Sequence, residues 1–79
     1  MKETLYNKVV ELIVKNTNLK SEDINVHSTF EDLGMDSLDQ MTVISDLEKE
    51  YKIILPNEEV PKIKTVGQAV ESLEKFVTN

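Results

Sequence analysis

The sequence predicts an all-α protein: a small four-helix bundle of three main helices and one short helix, with a long loop between helices 1 and 2. Only two glycines and two prolines interrupt its 79 residues. Leu, Val, Glu and Lys are abundant, and all but Val are strong helix formers. Apolar residues recur at helical spacing in three stretches, and no alternating pattern competes as a strand.

The first helix is expected from Thr4 to Lys15. Tyr6, Val9, Val10 and Ile13 follow the i, i+3, i+4, i+7 pattern, and Leu5 and Leu12 widen that stripe. Asn16-Thr17-Asn18 ends it, because these side chains compete for backbone hydrogen bonds. Residues 17–36 then read as a loop whose Leu19, Ile24, Val26, Phe30 and Leu33 pin it to the core. Ser28-Thr29-Phe30-Glu31 has capping-box spacing, so a short helical turn is expected there, closed by Gly34 in a left-handed conformation. A loop this long in so small a domain commonly serves function.

The second helix is expected to open with Asp36 as N-cap and Ser37 at its first position, and to end at Glu50 or Tyr51. Asp39, three residues after the cap, suits the positive helix start. Pro56 stops the connector Lys52-Ile53-Ile54-Leu55, and Asn57-Glu58-Glu59-Val60 reads as a very short third helix limited by Pro61. The last helix has a T-x-x-Q capping box at Thr65-Val66-Gly67-Gln68, followed by an apolar stripe of Val66, Ala69, Val70, Leu73 and Val77.

Composition narrows the function. Nine basic residues against fifteen acidic ones leave a net charge of −6, which argues against nucleic acid and anionic membranes as partners. Cysteine is absent, so disulfides, thiolate metal sites and a catalytic thiol are excluded. One histidine leaves little for a conventional active site, and no apolar run approaches the roughly 20 residues of a membrane span. Residues 1–79 are expected to form one domain, cytoplasmic and monomeric, with no metal.

On a helical wheel the second helix gathers Val43, Ile44, Leu47 and Tyr51 into a core arc. Leu38 falls roughly 170° and Met41 roughly 110° from its centre. Asp39, Asp46 and Glu50 flank this outward strip on one side and Glu48 on the other, giving an apolar lip in an acidic rim, the anatomy of a contact surface. The plainer alternative is a solvated face with two stray apolar residues. Ser37 favours the contact surface: its hydroxyl lies at a helix start, where the dipole and open N–H groups favour an attached anion. As a nucleophile Ser37 would need a base, and His27, the sole imidazole, reads as a surface residue. Glu31, Asp32, Asp36 and Asp39 lack the spacing of an EF-hand loop.

The segment Asp32-Leu33-Gly34-Met35-Asp36-Ser37-Leu38-Asp39 resembles the D-L-G-x-D-S-L signature of acyl carrier proteins. The resemblance extends through Leu47-Glu48, Tyr51, Ile54-Leu55-Pro56, Glu58-Glu59 and Lys62-Ile63-Lys64-Thr65-Val66, nearly the whole chain. It implies a discrete carrier, with no catalysis of its own, that bears 4′-phosphopantetheine, drawn from coenzyme A, on Ser37 through a phosphodiester. The arm would supply the thiol this chain lacks and hold acyl groups as thioesters for fatty-acid or polyketide-type biosynthesis. The implied partners are a phosphopantetheinyl transferase (holo-carrier synthase) and acyl-processing enzymes with basic docking patches. Asp36, Leu38, Asp39, Met41, Asp46, Glu48 and Glu50 are the expected partner-binding residues. Ile44, Leu47, Ile54, Ile63 and Ala69 would line any space for a folded-back acyl chain, and core packing explains them equally well.

Thr42, Ser45, Asp46 and Pro61 depart from the pattern of many fatty-acid carriers, which shifts the expected pathway toward a specialised one. An aminoacyl or peptidyl carrier remains an alternative, although such carriers usually have G-G-x-S before the serine. A non-carrier acidic helical adaptor is another.

Overall fold

The computed structural model describes residues 2–77. The outermost residues of the expected 1–79 domain, Met1, Thr78 and Asn79, lie outside the described residues. Three α-helices, α1 (Lys2–Asn16), α2 (Ser37–Tyr51) and α3 (Val66–Phe76), account for most of the regular structure, with single 3₁₀ turns at Ser21–Asp23 and Val60–Lys62. Among the described residues there is no strand, only one isolated antiparallel bridge between Thr29 and Thr65.

α1 packs against both α3 and α2 and is the shared wall of the core. Leu5, Val9 and Ile13 from α1, Val43 and Leu47 from α2, and Val66 and Leu73 from α3 are almost wholly enclosed. Burying a side chain of this kind contributes roughly 1.5–3 kcal/mol before entropy is charged against it. These positions follow the 3.6-residue period of each helix, as the sequence stripes require.

Helix ends follow local chemistry. α1 begins two residues earlier than expected and closes where Asn16 Nδ2 donates to the Leu12 carbonyl (2.8 Å) and Thr17 Oγ1 to that of Ile13 (2.7 Å). α3 opens with its capping box intact: Thr65 Oγ1 accepts from Gln68 N–H, and Gln68 Oε1 accepts from Thr65 N–H. α2 ends at Lys52, which adopts the left-handed conformation (φ 57°) usually left to glycine, while Ile53 N–H donates to the Glu48 carbonyl.

The structure corrects three expectations. The short helix expected at 57–60 is a non-helical turn followed by one 3₁₀ turn, Val60–Lys62, with Pro61 inside it rather than after it. Proline fits there because the first residues of such a turn need no N–H donor. Val26 is 47% exposed and does not pin the loop through its side chain. Ile54 is 86% exposed and lines no interior space, whereas Ile44, Leu47, Ile63 and Ala69 are all buried. In the short connector 52–56, Leu55 turns inward and its neighbour Ile54 is left outside.

The long loop is fastened by the buried side chains of Ile24 and Phe30, with Leu19 and Leu33 packed against the core as expected, and by backbone hydrogen bonds. Phe30 N–H donates to the Lys64 carbonyl (3.1 Å), Val66 N–H to that of Ser28 (3.0 Å), and Gly67 N–H to that of Val26 (2.9 Å). A Cβ at position 67 would sit 3.0 Å from the Val26 carbonyl oxygen and 3.1 Å from its Cγ2, so glycine allows this close approach without displacing the loop. The first turn of α3 thereby holds the loop that leads into α2.

Candidate functional site

The start of α2 is built by the loop before it. Thr29 Oγ1 accepts from Asp32 N–H (3.0 Å) and caps a helical turn over residues 30–34, one residue later than the Ser28 cap expected from spacing. Gly34 (φ 77°) ends that turn, with Gly34 N–H donating to the Glu31 carbonyl and Met35 N–H to that of Phe30. This paired arrangement satisfies carbonyls that a helical turn otherwise leaves open. Met35 is then buried, and Gln40 Nε2 donates to its carbonyl at 3.3 Å. Met35 and Gln40 escaped the sequence reading; an apolar residue directly before an N-cap was the available signal.

Asp36 follows in extended backbone, and its Oδ1 accepts from Asp39 N–H at 2.9 Å. Gln40 N–H donates to the Asp36 carbonyl, closing the first turn. Among the described residues the N–H groups of Ser37 and Leu38 have no partner, as at the open start of any helix. Ser37 is exposed, and among the described residues its hydroxyl makes no hydrogen bond. A free hydroxyl beside two open N–H groups at the positive end of a helix fits an ester-linked phosphate.

Leu38 and Met41 stand clear of the core, 77% and 49% exposed, beside Ser37. Asp36 is exposed and Asp39 half-buried. The remaining acids of α2 have neighbours to serve. Asp46 Oδ2 accepts from Asn16 Nδ2 (3.3 Å), tying α2 to the end of α1. Glu48 Oε2 accepts from Leu55 N–H (2.7 Å) and holds the connector against the helix. Glu50 lies 3.7 Å from Lys8 Nζ. Of the seven expected partner-binding residues, Asp36, Leu38, Asp39 and Met41 cluster around Ser37, while Asp46, Glu48 and Glu50 are engaged along the flanks.

The α1–α2 edge perturbs two groups. Lys8 is held above its ordinary lysine value, first by its hydrogen bond to Glu11, against some desolvation, with the Glu11 and Glu50 charges adding. Burial pushes the Tyr51 hydroxyl up, although the Lys8 charge opposes it. Neither group is near the start of α2. His27 is exposed and lines a surface groove with Lys2, Glu3, Tyr6 and Glu71; Ser37 is not part of that groove. Among the described residues, no group of three or more His, Asp or Glu could hold a metal ion. No helix there is long and apolar enough to cross a membrane.

Residues 7–73 match the family model described as phosphopantetheine attachment site. The chain is 36% identical over 69 residues to an acyl carrier protein of Porphyromonas gingivalis, covering 86% of this chain and 88% of that protein. It is 38% identical over 74 residues to an acyl carrier protein of Rickettsia bellii, covering 92% and 86%. With an acyl carrier protein of Wolinella succinogenes it shares 38% over 71 residues, covering 89% and 93%. Such proteins hold covalent 4′-phosphopantetheine, carry acyl groups on it and catalyse nothing themselves. The exposed serine at a helix start, the absence of any thiol and the match across three all-α helices agree: this chain belongs to the acyl carrier protein family.

Proposed function

We propose that Ser37 is the residue that bears the 4′-phosphopantetheine arm, and that the surface around Leu38 and Met41 presents it to partner enzymes. One observation carries this reading: Ser37 presents an exposed hydroxyl, unpartnered among the described residues, at the first position of α2, directly after the Asp36 cap. The arm supplies a thiol, and so a thioester linkage, to a chain without cysteine. The protein's own residues do the rest. Asp36 caps the helix and fixes its first turn, and Met35 and Gln40 fix the approach of the loop. The open N–H groups of Ser37 and Leu38 favour the phosphate charge.

Incubation with a broad-specificity phosphopantetheinyl transferase and coenzyme A tests the assignment by intact mass. The wild type is expected to gain one arm and Ser37→Ala none, with an unchanged melting curve. Wild-type protein left unmodified beside a loaded control carrier would return the site to a plain helix cap and favour the adaptor reading.

The carrier works, in this reading, as a cytoplasmic monomer and a single domain, with the turns at 57–62 standing in for the short fourth helix of the bundle. Its cargo is an acyl chain of fatty-acid or polyketide type, in a specialised pathway rather than the main elongation cycle. What supports the specialised role is the outward face of α2, where Thr42 and Ser45 stand. The placement of charge and apolar area on a docking face selects among partners. Supplying the loaded protein as the only carrier to a complete fatty-acid synthase of its own source tests this. Elongation at the rate of that organism's principal carrier would overturn the specialised role and leave Ser37 untouched.

A further inference from the structure

Two helix starts treat their free donors differently. In α2 the N–H groups of Ser37 and Leu38, first and second in the helix, have no partner among the described residues. In α3 the corresponding donors both go to the long loop: Val66 N–H donates to the Ser28 carbonyl (3.0 Å) and Gly67 N–H to that of Val26 (2.9 Å). The loop returns one bond, from Phe30 N–H to the Lys64 carbonyl (3.1 Å), beside the Thr29–Thr65 bridge. Residues 64–67 thus grip residues 26–30, and the same loop runs on into Ser37.

Gln68 holds that grip in shape. Its Oε1 accepts from two N–H groups at once, Lys64 (2.9 Å) and Thr65 (3.0 Å), where a capping box needs only the second. Thr65 N–H shares its planar peptide unit with the Lys64 carbonyl, so Gln68 orients the very group that receives Phe30. From Phe30 the path to the serine is short. The Phe30 carbonyl accepts from Met35 N–H (3.0 Å), both side chains are buried, and Met35 directly precedes the Asp36 cap. Gln40 Nε2 fastens the Met35 carbonyl from within α2.

We infer that Gln68 is a positioning residue for the loading of Ser37: it orients the Lys64–Thr65 peptide, which holds Phe30 and, through Met35, the first turn of α2. Leu38 and Met41 lie on the helix itself, so the contact surface keeps its shape when the loop shifts. Changing Gln68 therefore bears on the placement of the hydroxyl and little on docking. Placement matters because an error of about 1 Å at a reacting atom costs on the order of 100-fold in rate. The inference rests on Ser37 bearing the arm, so one part of its test reads the loop without any transfer.

Amide exchange is measured on the unmodified protein, and arm transfer from coenzyme A by a broad-specificity phosphopantetheinyl transferase at varied carrier concentration. Gln68→Ala is expected to raise exchange at Phe30 and Met35 N–H about 5-fold relative to the amides of Ile13 and Leu47, the effect of losing one net hydrogen bond. Its kcat should fall about 3-fold, as for a shift well under 1 Å, while KM for the carrier stays within about 2-fold. Gln68→Glu keeps an acceptor at the same reach and should restore both readouts. Val70→Ala weakens the buried packing of α3 away from the grip. It should lower the melting temperature and leave kcat unchanged where both proteins are folded. A wild-type kcat in Gln68→Ala, whatever its KM, or an equal loss of kcat in Gln68→Glu or Val70→Ala, would overturn the positioning role. Mass analysis of Ser37→Ala separates the two readings: an arm gained by that variant removes the attachment site, whereas normal loading of Ser37 in Gln68→Ala removes only the positioning.

Discussion

Two stripes run the length of α2, about 100° apart, and they have different fates. Asp39, Asp46 and Glu50 form one, turned toward α1, where Asn16 and Lys8 meet its last two members. Leu38, Thr42, Ser45 and Lys49 form the other, which is exposed among the described residues. Four of the helix's acidic and basic residues, Asp46, Glu48, Glu50 and Lys49, sit within five positions, yet only the lysine is left uncommitted. Net acidity is thus a poor guide to what a partner touches. The acidic stripe helps join two helices, and the nearly neutral one is free to be recognised.

The comparison depends first on the rotation of α2, and that is where the largest effect is expected. Leu47→Ala removes an almost wholly enclosed side chain and should cost about 2–5 kcal/mol of stability in urea unfolding. Leu38→Ala should cost under about 1 kcal/mol, as surface substitutions do, and should still slow arm transfer. Equal destabilisation by the two would mean that the helix is rotated and the stripes exchanged.

A smaller effect belongs to the end of the outward stripe. Lys52 occupies a left-handed conformation that an L side chain adopts at a cost, and glycine is the usual residue there. Lys52→Gly should raise stability by about 0.5 kcal/mol or more, measured by thermal or urea midpoint. Since this lysine makes no ion pair among the described residues, only the greater unfolded-state entropy of glycine works against that gain. A loss of stability would show that its side chain braces the helix end.

The smallest effect sharpens the tethered side. Lys8 and Tyr51 both hold their protons more tightly in the folded chain than at their ordinary values. Each contribution is complete below the ordinary value and is lost as pH rises through the folded one. Stability should therefore fall as pH rises above about 10, the ordinary tyrosine value, and go on falling through the raised values of both groups. Combining Lys8→Met with Tyr51→Phe should flatten that fall. A decline just as steep in the double variant would place the alkaline titration away from the α1–α2 edge.

Helix by helix, what could be read in advance was what local chemistry specifies. The T-x-x-Q box at Thr65 and the Asp36 cap work through neighbours three residues away, so α2 and α3 begin where spacing put them. Gly34 ends its turn as its lack of a Cβ allows. Segment 57–62 was harder, because Pro61 suits either the end of one turn or the inside of another.

By itself the sequence determined the three main helices, the caps of α2 and α3, the apolar stripes, the serine at a helix start and the family, because each rests on residues within two turns or on an unbroken motif. Tertiary structure alone decided that Asp46, Glu48 and Glu50 serve Asn16, Leu55 and Lys8, that Gly67 lets the loop reach α3, and that Ile54 is left outside. A helical wheel has an angle but no neighbours. Which exposed charge is already paired depends on where another helix packs, and packing is a property of the whole core.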